Sequence, residues 1–280
     1  MPLECRPRNL TRPRPALAAR LLGSAALVAV LALSVAGCKT MGDDITGSIS
    51  NVDAPRTDAD WRSALEVWGA RYRENPNDAD AAIAYARALR ATDQRAQAVA
   101  VLQQAAIRNP HNMPLLGAYG RALADAGDYP QALDVLGRAH TPDNPDWRIL
   151  NAQGAVLDQL GRYNEAQQHY NAALRIVPNQ PSVLSNLGLS YTLTKDLPRA
   201  EATLRLAIAQ PNAAPKVRQN LALVVGLQGR FAEAEKIASA DLPPDQAAAN
   251  VAYLREMLAQ RGQLAKKGTR PFMPASDTGT

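Results

Sequence analysis

The sequence predicts an all-α protein, a solenoid of antiparallel helix pairs wound into a curved superhelix. Three observations predict it. Ala98, Ala132, Ala166, Ala200 and Ala234 stand 34 residues apart without exception. Twelve residues before each lies a small residue: Ala86, Gly120, Gly154, Gly188 and Ala222. Prolines punctuate the same frame, with Pro76, Pro110 and Pro178 in phase and Pro145 and Pro211 one residue out. Self-similarity at a period of roughly 20–50 residues marks a repeat architecture, in which each unit buries one face on its neighbour.

The chain before the repeats has a different character. Arg6, Arg8, Arg12, Arg14 and Arg20 form a basic start, and Leu21 to Val35 form an apolar stretch of 15 uncharged residues. A spanning helix needs about 20 apolar residues, so the layout predicts a secretory signal over 1–37. The exit reads Val35-Ala36-Gly37-Cys38. Ala36 and Gly37 are small enough to enter a peptidase groove, and Cys38 carries a thiol. The alternative is an uncleaved amino-terminal anchor helix. A catalytic Cys38 lacks a base or a helix amino terminus nearby to lower its pKa.

Cleavage before Cys38 changes the charge. The whole chain is formally +5, but five arginines and one acid, Glu4, leave with the signal. What remains carries 26 basic and 25 acidic residues, which removes the main support for a nucleic-acid partner. Cys5 leaves as well, and an acylated Cys38 has no cysteine partner. Stability must therefore come from packing alone.

The elements follow in order. Residues 38–56 are rich in Gly, Ser, Thr and Asp without periodicity and predict a flexible tether, about 25 Å long on average. Residues 57–78 predict a partial repeat, with Ala64, Trp68 and Pro76 in frame. Five repeats follow over 79–244: 79–112, 113–146, 147–180, 181–214 and a degenerate one at 215–244. In the third, "WRILNAQGAVLDQLGRYNEAQQHYNAALRIVPNQ", Gly154 and Ala166 mark the helix crossing, where a larger side chain would overpack. Gly161 ends the first helix in a left-handed cap, Tyr170 and Ala173 face the following repeat, and Pro178 ends the second helix. Gly127-Asp128-Tyr129 and Gly229-Arg230-Phe231 repeat the turn, while Asp93-Gln94 and Lys195-Asp196-Leu197 repeat it loosely. A capping helix is expected over 245–267, with Ala247, Val251, Leu254 and Leu258 on one apolar stripe, then a disordered tail at 268–280.

Little chemistry can be assembled. His111 falls in a turn, and His140 and His169 fall on second helices of different repeats, all three read as surface residues. No Gly-rich phosphate loop, nucleophile elbow or metal-ligand spacing is present, so no enzyme activity, cofactor or metal is expected.

The quoted repeat resembles the tetratricopeptide repeat (TPR), and Val35–Cys38 resembles the lipobox of bacterial lipoproteins. The lipobox implies diacylglycerol on Cys38. By resemblance to enterobacterial sorting, Lys39 in place of an aspartate after that cysteine implies the periplasmic face of the outer membrane. The TPR pattern implies a concave groove lined by first helices. Its groove positions fall here on Ile83, Arg87, Arg90, Arg121, Asp125, Arg148, Asn151 and Asp158. Farther along they fall on Ser185, Asn186, Leu189, Thr192, Lys216, Gln219, Asn220, Leu223 and Leu227. Arginines suit carboxylates of a protein partner, amides a peptide backbone, and leucines an apolar helix face. The bland alternative is that Arg87 and Arg121 solvate the face or pair with Asp80 and Asp125. The carboxylate clamp of chaperone-binding TPRs is not reproduced.

A lipobox, a short tether and five to six TPRs together resemble the TadD-like lipoproteins of tight-adherence (Flp) pilus systems. That resemblance implies a scaffold or pilotin whose partner is an outer-membrane secretin or another pilus component. TPR pilotins of the PilF/PilW kind are the nearest competing family. A periplasmic scaffold for cell-wall or outer-membrane-protein assembly, and a regulatory subunit of a separate enzyme, remain open on sequence.

Overall fold

Thr57 and Asp60 start the first helix by capping each other. The Asp60 N–H donates to the Thr57 hydroxyl and the Thr57 N–H to the Asp60 carboxylate, satisfying two otherwise unpaired donors. The computed structural model describes residues 57–268. The signal over 1–37, the tether over 38–56 and the tail beyond residue 268 lie outside them.

Twelve helices are present among the described residues. Helix α1 (Asp58–Glu74) is followed by five pairs: α2 (Ala79–Ala91) with α3 (Arg95–Arg108), α4 (Met113–Asp125) with α5 (Tyr129–Gly137), and α6 (Trp147–Gln159) with α7 (Tyr163–Ile176). The last two are α8 (Pro181–Leu193) with α9 (Leu197–Ile208), and α10 (Pro215–Leu227) with α11 (Phe231–Ala238). Helix α12 (Pro244–Gly268) closes the series. Among the described residues there is no strand, only an isolated bridge between Thr141 and Asn144.

The turn inside each pair has one geometry. Asp93, Gly127, Gly161, Lys195 and Gly229, each 34 residues from the next, have φ of 61°, 87°, 74°, 64° and 83°. In the third pair the Arg162 N–H reaches back 2.9 Å to the Leu157 carbonyl, and the equivalent bond closes the other four. This is the Schellman arrangement, which satisfies carbonyls at the helix end. The looser turns at Asp93 and Lys195 therefore hold the same backbone without glycine, at a steric cost.

Packing inside a pair follows from the small column. A methyl added at Gly154 would stand 2.6 Å from the Tyr170 ring, at Gly120 2.6 Å from Leu136, and at Gly188 2.7 Å from Leu204. The glycine thus makes room chiefly for the side chain four residues after the repeat alanine. Tyr170 joins Val183 and Leu187 of α8 in the following repeat, as expected, and also covers its own Gly154. The five alanines of the 34-residue series are completely buried.

Neighbouring repeats stack asymmetrically. The first helices pack in succession, α2 on α4, α4 on α6, α6 on α8 and α8 on α10, and successive second helices do not pack comparably. Within the array the first helices therefore form the tighter, inner wall and the second helices the outer one. Helix α12 packs against α10 and α11, with Ala247, Val251 and Leu254 buried and Leu258 half-buried.

Candidate protein-binding groove

The inner wall changes chemistry along its length. At its start, Arg87 on α2 lies over the Trp61 ring of α1, 5.5 Å from the centroid, and Ile83 packs against the core. Arg90 at the end of α2 pairs with Asp125 at the end of α4, Nε to Oδ2 2.5 Å. Arg121 on α4 folds back over Gly117, its Nη1 3.4 Å from where a side chain would begin there. Arg148, at the start of α6, stacks over Trp147 at 4.6 Å. Arg87 and Arg148 thus lie over rings, and Arg90 is held by an acid. The rings fix the stems of Arg87 and Arg148, which lowers the entropy these two lose on meeting a carboxylate.

The amide stretch needs correction. Asn151 is fully buried, and the Asn186 side chain donates to its Oδ1 at 3.0 Å. One repeat on, Asn220 donates to the Ser185 hydroxyl at 3.0 Å, and Ser185 is also buried. Both bonds join residues 35 apart, so they rivet one inner helix to the next. Asn151 therefore serves the wall rather than a peptide backbone, and Asn186 and Asn220 spend a donor on the same task. Thr192 is buried too and donates to its own helix at the Gly188 carbonyl. Leu189, Leu223 and Leu227 remain half-buried, Gln219 is half-buried and Lys216 is exposed.

Between the arginine and leucine stretches lies Asp158, at the end of α6. Its two oxygens each accept one hydroxyl donor: Tyr170 of α7 at 2.9 Å and Ser190 of α8 at 2.7 Å. Burial pushes its carboxyl up to about 6, against the opposing pull of those two bonds. Burial, then the charge of Asp158, pushes the Tyr170 hydroxyl well above its ordinary value. The Ser190 and Tyr170 links were not legible in the sequence. Ser190 lies outside the groove positions, and Tyr170 sat in a core column.

The histidines also differ from expectation. His111 is exposed, but His140 and His169 are half-buried, and the Nδ1 of each is buried without a hydrogen-bond partner. Burial, then the charge of His140, holds His169 below the usual imidazole value. Among the described residues no group of three or more metal-ligating side chains comes together.

Across the outer side of repeats four and five runs an ion network. Glu201 accepts from Arg205, Arg230 and Gln228, and Glu233 accepts from both arginines. Burial alone would raise the Glu201 carboxyl, yet the three donors outweigh it and bring it down to about 2. Such a network ties neighbouring repeats and needs no ligand. Among the described residues no helix is long and apolar enough to cross a membrane.

Comparison with protein families matches residues 154–194 to a TPR repeat and residues 90–154 to a tetratricopeptide repeat. The fold is a TPR-like solenoid. Comparison with curated protein sequences gives no match. Among solved structures it is similar to PilW, a widely conserved type IV pilus biogenesis factor, with a TM-score of 0.60 and 16% identity over 69% of this chain and 91% of that one. It is similar to a chain of the APC/C hetero-tetramer Cut9–Hcn1, with a TM-score of 0.57 and 15% identity over 70% of this chain and 40% of that one. The human IFIT1 dimer with m7Gppp-AAAA gives a TM-score of 0.55 and 15% identity over 65% of this chain and 46% of that one. The chain thus spans less than half of the last two, and identities this low speak for the fold alone. TPR repeats form protein-interaction scaffolds, and folds of this kind are typically not catalytic.

Proposed function

We propose that this chain is a lipid-anchored TPR scaffold of pilus assembly, a TadD-like pilotin holding an outer-membrane secretin or another pilus component in its groove. The observation that carries this reading is the sequence Val35-Ala36-Gly37-Cys38 standing just ahead of a TPR solenoid. The likeness to PilW, which extends over 91% of that chain, supports the pilus assignment at the level of the fold. A diacylglycerol on Cys38 tethers the solenoid to the periplasmic face of the outer membrane, and the groove engages the partner within reach of that tether. Each methylene of the lipid contributes about 0.8 kcal/mol of membrane affinity, so the anchor confines the scaffold to the surface where the secretin assembles.

The test is made in cells carrying the pilus genes. Cys38→Ser should abolish palmitate incorporation, leave an unprocessed precursor and deplete secretin multimers from the outer-membrane fraction. Normal labelling, or normal secretin multimers without this protein, would overturn the proposal. Lys39→Asp should move part of the protein to the inner-membrane fraction on a density gradient. A wild-type protein found wholly in that fraction would overturn the outer-membrane placement.

A further inference from the structure

The wall carboxylates differ in what holds them. On the wall, Asp125 faces Arg90. Asp158 has only neutral donors, one hydroxyl on each oxygen, and no ion pair joins it to a cation among the described residues. An ionised carboxylate in a partly buried site is costly without a counter-charge. Each of its oxygens retains a second acceptor position. It sits on the inner helix at the seam between the arginine stretch and the leucine stretch, at a groove position.

From this geometry we infer that Asp158 receives an ammonium group of the bound partner, from a lysine or a chain amino terminus. The inference rests on the groove being the partner site. With a hydroxyl already on each oxygen, a compact point charge fits better than a planar guanidinium, which needs two parallel positions at once. The partner segment then carries a positive charge between an acidic stretch over Arg121 and Arg148 and an apolar stretch over Leu189 and Leu223. Charge alternates along the wall, and the segment's alternation must match it in register.

The tryptic peptide Ile149–Arg162 contains Asp158 as its only carboxylate, so zero-length coupling reads this one side chain. Envelope membranes holding the full-length protein are treated with a water-soluble carbodiimide, digested, and the joined peptides sequenced by mass spectrometry. The expected product is Ile149–Arg162 linked by an amide to an amine-bearing peptide of another protein. Asp158→Asn, which keeps the shape and an acceptor, should abolish that product. It should also lower co-purification of the linked protein about tenfold or more without lowering the melting temperature at pH 7.5. Coupling at exposed Asp143 but not at Asp158, coupling only to lysines of this chain, or undiminished capture by Asp158→Asn would each overturn the inference. Loss of capture without any cross-link would replace the ammonium by an arginine and overturn it too. A linked protein unrelated to pili would leave Asp158 its role and remove the pilus reading. Secretin photocross-linked at Leu189 with Asp158 uncoupled would do the reverse.

Discussion

In α2 and α4 the ninth repeat position carries Arg87 and Arg121, whereas in α8 and α10 the same position carries Leu189 and Leu223. Both halves share the turn geometry at 34-residue intervals and the buried alanine column. They differ in how the inner helices are joined. The first half uses an ion pair, Arg90 with Asp125, and the second uses neutral rivets, Asn186 to Asn151 and Asn220 to Ser185. The difference teaches that the scaffold columns fix the stacking while the wall positions are left to chemistry. Where a wall residue is drawn into stacking, as Asn151 is, it stops being surface.

The largest effect should come from the repeat that joins the halves. Gly154→Leu drives a branched side chain into Tyr170, already 2.6 Å from the position of a first carbon, and should cost about 3 kcal/mol. Solenoid stability is carried by nearest-neighbour interfaces. Thermal unfolding followed by circular dichroism should therefore split, with the two halves melting separately. A single unshifted transition would show that the crossing tolerates bulk.

The two kinds of rivet should differ next. Asn151→Ala leaves the Asn186 amide without its partner in a largely buried setting and should cost about 1–3 kcal/mol. Arg90→Ala removes a pair whose side chains stay 19% and 27% exposed, and should cost about 1 kcal/mol or less. Urea titrations of both variants check the order. Equal losses would erase the distinction between the halves.

Asp158 gives a pH signature. Its folded value of about 6 lies above the ordinary carboxylate value of 3.8, so the folded state binds the proton more tightly. Stability from this group is therefore gained as pH falls through 6 and is absent above it. His169 acts in the opposite sense, since its lowered value favours the neutral folded form above pH 6.5. Comparison with Asp158→Asn isolates the carboxylate. Between pH 7.5 and 5 the wild type should gain about 1 kcal/mol on that variant, after allowance for partial exposure. A pH-independent difference would mean that Asp158 is not desolvated.

The smallest effect concerns the turns. Lys195 holds φ of 64° where Gly127, Gly161 and Gly229 serve elsewhere. Lys195→Gly should stabilise the second half by about 0.5 kcal/mol, the relief of strain being partly offset by the freer unfolded chain. Gly161→Ala should do the opposite in the third repeat.

These residues also show how far the sequence could be read. The helix pairs were legible because the constraints on them are local and periodic: a methyl too many at Gly154, a left-handed turn at Gly161, a buried alanine at 166. The groove was legible as a set of positions but not as a surface. Nothing in the spacing tells that Asn151 turns to Asn186, or that Arg90 rather than Arg87 or Arg121 takes Asp125. Such pairings depend on the rise and rotation between repeats, a tertiary quantity. The burial of His140 and His169 was hidden for the same reason, since it arises between repeats.

The central claim is that the inner wall, and not the outer one, receives the partner. A photoreactive residue placed singly at Leu189 or Leu223 of the inner helices tests it most directly. Ile107 and Leu206 of the outer helices, 68% and 55% exposed, serve as the comparison. In living cells the account predicts cross-links to the pilus secretin or a neighbouring pilus component from the inner positions and none from the outer ones. Cross-links from Ile107 and Leu206 alone would contradict it.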